Sequence, residues 1–577
     1  MQTPIDNVPK GDDSVSPWYR SAITTAVVAA IFSLIVLLLV VGNYVRTRVA
    51  DAKTELQLEE LKIVARGEPD NEQLLARIRQ LDLEYRRRMI RRVDFSRTGD
   101  YLLLGGVVVF LIAVKWANTF RRKSPVPGRR PDQVQTQLQR AVQSRWAVAA
   151  AVVVLTGGAA FLVSKPKIDF AAADSAATPY PSTEEISENW PRFRGPGGLG
   201  VSAYINIPTK WDGKTGEGVL WKTKVPLPGH NSPVIWGDRV FLSGADPNER
   251  QVYCFDAVSG KVLWTGNVPT RPSPEAEEFE VMPDTGYAAP TVATDGRRVY
   301  AIFVTGDVGC FDFNGRRVWN KSFGIPDNAY GYASSLAMYQ NLLLIQYDQA
   351  DIEDDKSRLF AFDGFSGNLV WEAKRPVANA WTSPIVAKVG EQYQIMTVGD
   401  PWTLAYDPTN GAEIWRAECV SGDLAPSPIY AGGLVFALEP YSRVVAVKAD
   451  GRGNVTKTHI AWDADESAPS ICSPVSDGEL LYLLGSEGTL LCCKVADGAK
   501  VYEKDLDLGF LASPSLVGDK LYLLSDDGVM LIAKAGAEYE ELARCELGED
   551  CQASPAFADG RIYIRSLENL YCIGETP

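Results

Sequence analysis

Short hydrophobic runs recur through residues 190–577 with a period of about 40 to 57 residues, and each repeat holds four of them. Three repeats carry an Asp, then Gly four residues later and Trp eight residues later. The clearest copies are "FDAVSGKVLW" (255–264), "FDGFSGNLVW" (362–371) and "YDPTNGAEIW" (406–415). Four short strands in a repeat of this length are typical of a β-propeller blade. The Asp and Gly suit the turn before the outermost strand, and the Trp is expected to pack between blades.

The start of each repeat is marked by a small residue followed by proline. Proline suits the beginning of an innermost strand, where its missing N–H is least needed. Eight such starts predict an all-β fold, an eight-bladed propeller of four-stranded blades; the third repeat has Ser334 and Ser335 instead of a proline pair. The other seven starts are Ser232-Pro233, Ala289-Pro290, Ser383-Pro384, Ser427-Pro428, Ser473-Pro474, Ser513-Pro514 and Ser554-Pro555.

The last repeat, residues 551–574, ends after three strands. The segment "EGVLWKTKV" (217–225) has the pattern of an outermost strand, with Trp221 at the tryptophan position. We expect this segment to complete the last blade, because a closed ring has no unpaired edge.

One position of the repeat alternates between cysteine and alanine. A free cysteine packs as a small hydrophobic residue, so this position is predicted to need a small buried side chain. The adjacent pair Cys492 and Cys493 leaves a strained disulfide as an alternative, although both lie in a strand pattern. The alternating residues are Cys254, Cys310, Ala361, Ala405, Ala446, Cys492 and Cys572.

The N-terminal third has the hydropathy pattern of a membrane region. Arg20 and Arg46 enclose 25 uncharged residues, which is long enough to cross a bilayer. Leu74, Ile78 and Leu81 recur at helical spacing within a polar loop. The predicted segments are an N-terminal tail (1–20), transmembrane helices (21–45, 101–117 and 146–164), a helical hairpin loop (46–100), a basic loop (118–145) and a linker (165–189).

Charge divides the chain in the same way. Residues 1–180 carry 25 basic and 17 acidic residues, a balance of +8. Residues 181–577 carry 33 and 55, a balance of −22, which together give the −14 of the whole chain. An acidic propeller argues against nucleic-acid binding. Only two histidines are present, which leaves little material for a histidine-ligated metal site or for histidine catalysis.

Charge also bears on the orientation in the membrane. The first loop is richer in Lys and Arg than the second, and the positive-inside rule therefore favours a cytoplasmic first loop and a cytoplasmic propeller. The rule is weak for loops near 60 residues, and this loop is also rich in acidic residues. The orientation stays open at this point.

The repeats resemble the bacterial PQQ-like β-propeller repeat family of quinoprotein-type propellers, on the motifs "ASPSLVGDKLYLLSDDGVMLIAKAG" and "CFDAVSGKVLW". The segments "WPRFRGPGGLGVS" (190–202) and "GHNSPVIWGDRVFLSG" (229–244) resemble a membrane-linked branch of it. The family includes dehydrogenases and also non-enzymatic propellers, such as the lipoprotein that assists outer-membrane β-barrel assembly. Those relatives work outside the cytoplasm, so the resemblance implies a propeller outside the cytoplasm. Together with the hydropathy pattern, this predicts a multi-pass protein of the cytoplasmic membrane with its propeller outside the cytoplasm.

Three functions from different classes fit these patterns. The preferred hypothesis is a membrane-anchored, non-catalytic protein-interaction or assembly scaffold of the cell envelope. The alternatives are a small-ligand or carbohydrate-binding sensor and a PQQ-dependent dehydrogenase. A quinone enzyme needs a catalytic base and calcium ligands, and no residues can be assigned to those roles; neither PQQ nor a metal is therefore expected. For the sensor, polar and aromatic residues before the inner strands are expected to line the channel opening: His230, Asn231, Tyr287, Tyr332 and Trp381.

Overall fold

The computed structural model describes residues 18–19, 21–34, 36, 105–106, 109–117, 181–270, 281–283, 285–466 and 468–575. The chain divides into two compact units, Met1–Ala177 and Thr178–Pro577. Several predicted segments lie wholly or mostly outside the described residues: the tail 1–20, the loops 46–100 and 118–145, the third span 146–164 and the linker up to residue 180.

Two helical stretches, 21–34 and 109–117, form most of the described part of the first unit. Gly106 lies so close to Ser33 that a Cβ atom at this glycine would overlap the serine hydroxyl. Small side chains such as Ala26, Ala29 and Ala113 are buried. The large apolar side chains point outward instead, namely Ile23, Val27, Ile31, Leu34, Phe110, Leu111, Ile112 and Trp116. None of the described helices is long and apolar enough to span a bilayer.

The second unit is an eight-bladed β-propeller. Within each blade the strands are antiparallel and run from the central channel outward. Blades 1 to 4 comprise Val234–Trp236, Arg239–Ala245, Arg250–Asp256 and Val262–Asn267; Ala293–Thr294, Arg298–Ile302, Asp307–Asp312 and Arg317–Ser322; Ala337–Tyr339, Leu342–Tyr347, Arg358–Asp363 and Leu369–Lys374; Ile385–Val389, Gln392–Gly399, Trp402–Tyr406 and Glu413–Glu418.

The remaining blades repeat this order. Blades 5 to 8 comprise Ile429–Ala431, Leu434–Glu439, Arg443–Lys448 and Ile460–Ala464; Val475–Ser476, Leu480–Leu484, Thr489–Lys494 and Lys500–Asp505; Ser515–Val517, Lys520–Leu524, Val529–Lys534 and Glu541–Glu546; Ala556–Ala558, Arg561–Arg565, Asn569–Ile573 and Val219–Lys224. The short strands Gly453–Asn454 and Val201–Ser202 add parallel to blades 4 and 7. The hydrophobic core consists of clusters that join neighbouring blades.

The ring closes as the sequence predicts, since Val219–Lys224 pairs antiparallel with Asn569–Ile573. Glu549 supports this closure by hydrogen bonds from Lys222, Ser566 and Asn569. Burial raises the pKa of Glu549, but these hydrogen bonds outweigh it and lower the pKa to about 2. The carboxylate is therefore ionised at neutral pH and ties the N-terminal strand to the last blade.

The cysteine–alanine position is explained by strand register. In each case the small residue pairs directly with the aromatic residue of the outermost strand, as Cys254 does with Trp264 and Ala361 with Trp371. All members of this set are fully buried, which confirms the predicted small core position. Blade 7 reverses the sizes, because Ile532 there pairs with Ala543. The volume of the pair, rather than either residue alone, is what the core requires.

In five blades the tryptophan of the outermost strand docks against the turn of the following blade. The indole Nε1 of Trp221 donates to the carbonyl of Ala257 at 3.0 Å. Its ring lies over Gly260, where a Cβ would come within 2.5 Å of the indole and φ is +69°. Only glycine satisfies both conditions. Equivalent indole bonds go from Trp264 to Phe313, Trp319 to Gly364, Trp371 to Pro408 and Trp462 to Val495.

Trp415 of blade 4 departs from this rule, because its Nε1 donates to Gln394. The turn of blade 5 that would receive it is longer than the others. This turn folds back so that Gly453–Asn454 pairs with the outer strand of blade 4. The extra pairing covers an otherwise open strand edge and leaves Trp415 fully buried.

A second set of contacts joins the blades around the channel. The backbone N–H of one start residue donates to the hydroxyl of the next, at 2.9 to 3.1 Å. This inner hydroxyl ring connects Ser232, Thr291, Ser335, Ser383, Ser427, Ser473, Ser513 and Ser554 in that order.

The inner hydroxyl ring corrects one predicted blade start, that of blade 2, and selects Ser335 from the predicted pair in blade 3. In blade 2 the equivalent residue is Thr291, two positions after the Ala289-Pro290 pair, and in blade 3 it is Ser335. Neither residue is followed by proline. The structural requirement is a hydroxyl that accepts the neighbouring N–H, and the proline only accompanies it in six of the eight blades.

The predicted linker is also shorter than expected at its C-terminal end. Residues Thr183–Ser187 form a helix, in which Ser182 caps the N-terminus and Glu185 bonds back to the Ser182 N–H. This capping box is visible in the sequence "STEE". The side chain of Asn189 then accepts from the N–H of Gly237 in blade 1. The described part of the second unit therefore includes a helix before residue 190.

Replacing Trp221 with alanine tests ring closure. The change should lower the free energy of unfolding by roughly 3–5 kcal/mol, because it removes a buried indole and one hydrogen bond. Chemical denaturation of the full-length protein, followed by tryptophan fluorescence, measures this loss. Trp462→Ala is the matched control, since Trp462 makes the same contact between two blades remote from the closure. A loss below about 1 kcal/mol for Trp221→Ala alone would contradict the role of the N-terminal strand.

Candidate functional site

The loops between consecutive blades lie on the same face of the propeller as the turns between second and third strands, because strand direction alternates. We call this the loop face. Val304, in such a turn of blade 2, donates its N–H to the carbonyl of Tyr287 at 3.3 Å and accepts from the N–H of Tyr332 at 2.9 Å. The loops before blades 2 and 3 are thus held side by side.

The loop before blade 1 joins this group. The N–H of His230 donates to the carbonyl of Ala288 at 3.1 Å, and the imidazole lies against Gly286. Asn231 is fully buried and makes all four of its side-chain hydrogen bonds within the protein, to Ser243, Ala288 and Arg565. A ligand would have to displace one of these bonds to contact the amide, so Asn231 is already occupied in holding the loop.

The side chains of Tyr332 and Trp381, the other two predicted residues, make aromatic contacts in the loops before blades 3 and 4. Tyr332 is buried and stacks on Tyr347 with ring centroids 5.1 Å apart. Trp381 is half-buried and meets Tyr330 edge to face at 5.0 Å. The hydroxyl of Tyr332 and the indole N–H of Trp381 have no hydrogen-bond partner among the described residues. Three of the five predicted residues, His230, Tyr287 and Tyr332, therefore lie in adjoining loops, and Trp381 approaches them through Tyr330.

The sequence analysis missed two buried ion pairs near the loop face. Arg250 of blade 1 lies 3.3 Å from Asp307 of blade 2, and Arg375 lies 2.6 Å from Asp348 with both side chains completely buried. No local signal marked Arg250, which stands at the polar start of its strand, and its partner is 57 residues away. Each carboxylate forms an ion pair with an arginine. They therefore tie strands and blades together instead of facing a substrate.

The channel itself is filled by residues 189–202, which we call the channel plug. It begins at Asn189, on the face opposite the loop face. Trp190 then exchanges backbone hydrogen bonds with Ile235 of blade 1. Pro191 accepts from the N–H of Thr294 of blade 2. The plug returns along blade 7, where Gly200 accepts from the N–H of Leu516. The resulting loop crosses the channel and places its tip near the inner hydroxyl ring.

Arg192 and Arg194 lie at the tip of the channel plug. Nη2 of Arg192 donates to the carbonyl of Pro384 in blade 4, and Nη2 of Arg194 donates to that of Pro474 in blade 6, both at 2.5 Å. Arg192 is 4% and Arg194 is 2% exposed. Burial lowers the pKa of each guanidinium to about 9, so both remain cationic at neutral pH.

The channel plug bears on whether a quinone cofactor fits. A planar quinone stacked at the level of the inner strands would need the space that Trp190, Arg192 and Arg194 fill. Cys492 and Cys493 lie on opposite faces of their strand, within separate clusters, and both are free. They form no ring against which a quinone could stack. Among the described residues, no group of three His, Cys, Asp or Glu side chains is arranged to hold a metal ion.

The fold resembles several solved structures. Quinohemoprotein alcohol dehydrogenase from Comamonas testosteroni superposes with a TM-score of 0.52 at 12% identity, covering 71% of this chain and 83% of that one. BamB from Moraxella catarrhalis superposes with a TM-score of 0.45 at 14% identity, covering 62% and 97%. Quinohemoprotein alcohol dehydrogenase ADHIIG from Pseudomonas putida HK5 gives 0.49 at 12% identity, covering 68% and 81%. At these identities the likeness to the Comamonas enzyme concerns the fold alone.

Sequence comparison is more specific about the family. No curated protein matches the chain. A family model described as outer membrane protein assembly factor BamB matches residues 208–332 and 248–503, which together span more than half of the 577 residues. The chain therefore belongs to this family of PQQ-like propeller proteins.

Proposed function

We propose that this protein is a membrane-anchored, non-catalytic scaffold that binds a protein partner of the bacterial cell envelope through its loop face. The observation that carries the proposal is the commitment of the deep carboxylates Asp307 and Asp348 to arginine pairs. What the loop face offers a partner is half-buried aromatic surface, from Tyr287, Tyr330 and Trp381. Aromatic side chains of this kind supply much of the binding energy at protein interfaces. The family's description as an assembly factor supports this assignment.

Membrane anchoring is part of the proposal. The described helices of the first unit bury alanine and expose isoleucine, leucine, phenylalanine and tryptophan, the reverse of a water-soluble helical pair. Small residues at the helix contact and large apolar residues outside are typical of membrane helices. The 25 uncharged residues from 21 to 45 supply sufficient length for a span.

We place the propeller outside the cytoplasm, following the family resemblance against the positive-inside rule. Its nine cysteines are compatible with an oxidising compartment, because all are free and buried. Burial raises the pKa of Cys254 and Cys572 to about 12 and keeps these thiols protonated and unreactive.

A small-ligand or carbohydrate-binding sensor is the second candidate. It is favoured by the unpartnered hydroxyl of Tyr332 and indole N–H of Trp381, which lie beside stacked aromatic rings. A sugar combines hydroxyl acceptors with an apolar face that stacks on aromatic rings. On either candidate function we propose that the propeller works without PQQ.

The scaffold proposal is tested by site-specific photocrosslinking in cells. A photoreactive amino acid at Trp381 should give one discrete adduct with an envelope protein, because this side chain lies on the loop face. The same amino acid at Lys457, an exposed residue in a turn on the opposite face, should not. The adduct from a reporter at Tyr287 should weaken when Trp381 is also changed to alanine. Identical adducts from positions 381 and 457 would show that the loop face has no special role.

Calorimetry on the full-length protein in detergent separates the scaffold from the other functions. We expect no saturable heat on adding PQQ with calcium and no dye-linked oxidation of alcohols or sugars. Micromolar binding with turnover would contradict the proposed function. Saturable binding of a sugar that is lost in Trp381→Ala, with no turnover, would establish the sensor instead.

Orientation is tested by protease treatment of intact spheroplasts. The propeller should be cleaved without lysis, and a cytoplasmic marker protein should survive. Protection of the propeller until the membrane is broken would place it in the cytoplasm, as the positive-inside rule favours.

A further inference from the structure

The two arginines of the channel plug are buried cations without an acidic partner. In the part of the chain that the structure describes, no carboxylate forms an ion pair with Arg192 or Arg194. Two other buried arginines differ in this respect, since Arg250 and Arg375 are paired with aspartates. Arg565 also forms no ion pair among the described residues, but its Nη1 donates to Asn231 and Ser243. A buried charge is tolerated when it is paired and hydrogen-bonded. The plug arginines satisfy this rule only in part.

Their hydrogen bonds are also incomplete. Nη2 of each guanidinium donates to a proline carbonyl. Nη2 of Arg194 also makes a long hydrogen bond of 3.4 Å to the carbonyl of Leu199. Nε and Nη1 of both residues are buried without a partner. Four cationic N–H-bearing atoms thus remain unsatisfied in one place, which is costly unless an acceptor joins them.

The backbone of the channel plug is shaped to hold these side chains. A Cβ atom on Gly200 would lie 2.5 Å from Nη2 of Arg194, and φ at this glycine is +75°. Any other residue would push the guanidinium aside. The two cations also act on each other, since the charge of Arg192 contributes to lowering the pKa of Arg194. Two like charges are therefore kept together in a site that the chain itself does not neutralise.

We propose that Arg192 and Arg194 form an anion-binding site inside the channel and that its ligand is a small doubly charged oxyanion, inorganic phosphate or sulfate. A guanidinium presents its N–H groups in a fork that matches the oxygens of such an anion. Two cations call for two negative charges, which one dianion supplies. The plug tip is close to solvent, because Phe193, Pro196 and Leu199 are only half-buried, and a small ion can reach the arginines from the loop face.

The nearby acidic residues do not take this role. Asp526 and Glu487 act electrostatically on the Cys472 thiol, which in turn interacts with Arg194. Neither carboxylate contacts a guanidinium of the plug. Burial raises the pKa of Asp526, so its charge is disfavoured where it stands. The anion site is independent of the proposed scaffold function and does not rest on it.

The test compares bound anions in the full-length protein and in Arg192→Met/Arg194→Met. After dialysis, the purified protein is denatured and the released phosphate and sulfate are measured by ion chromatography. The wild-type protein should release about one dianion per chain, and the double variant should release none. The identity of the released ion distinguishes phosphate from sulfate. Release of no anion by the wild-type protein, with no response in the titration below, would overturn the proposal.

Thermal unfolding provides the second readout. Phosphate or sulfate added to stripped wild-type protein should raise the unfolding temperature saturably, compared with sodium chloride at equal ionic strength, because only the folded state has the site. The double variant should show no such rise. Arg565→Lys is the matched control, since Arg565 is equally buried but has acceptors in Asn231 and Ser243, and it should respond like the wild-type protein. An equal response of the double variant and the wild-type protein would place the anion elsewhere and overturn the assignment.

A conservative change guards against failure to fold. Arg194→Lys keeps the charge and loses the fork, so it should fold and bind the anion about tenfold more weakly. Unchanged affinity in Arg194→Lys and in the corresponding Arg192→Lys would contradict recognition by the guanidinium pair.

Discussion

Closure of the ring is the constraint on which the rest of this propeller depends. Each blade covers its apolar faces only against its two neighbours, so an incomplete last blade would expose both its own edge and that of blade 1. The strand Val219–Lys224 removes this edge by pairing with Asn569–Ile573. Glu549 and Lys222 add an ionic contact at the same junction. Residues near the start and the end of the propeller unit are thereby held in one blade.

Two circles of contacts join each blade to the next around the closed ring. In the outer circle, an indole of one blade rests on the turn glycine of the next. In the inner circle, backbone N–H groups donate to serine or threonine hydroxyls of the following blade. The outer contacts tolerate exceptions, because Trp415 turns to Gln394 and blade 7 carries Ala543 opposite Ile532. The inner hydroxyl ring keeps its hydroxyl acceptor in every blade from the second to the eighth and is less tolerant of change.

The distribution of buried charge separates structural from functional candidates. Arg250 and Arg375 are neutralised by aspartates and fasten neighbouring strands. Arg192 and Arg194 have the same burial and no such partners, although the propeller as a whole is strongly acidic. The difference lies in the chain segment that carries them. The channel plug joins the blades through Val201–Ser202 and through the bridge of Trp190 to Ile235, and both of its arginines donate to backbone carbonyls.

The sequence by itself determined the repeat, the number of blades, the closing strand and the small buried position of the repeat. These features follow from local spacing, because Asp256, Gly260 and Trp264 lie in one hairpin and the period of two fixes which residues face inward. Of the predicted opening residues, His230, Tyr287 and Tyr332 do lie in adjoining loops. Only the tertiary structure decided that all the hydrogen-bonding capacity of Asn231 is used within the protein. It also decided that Thr291 takes the place of the proline-marked start of blade 2. The same holds for the hydrogen bonds from the plug arginines to carbonyls of blades 4 and 6. Arg192 and Pro384 are 192 residues apart, and no local pattern relates them. Such contacts depend on the angle between blades and on the path of the plug through the channel, which exist only once the ring has closed.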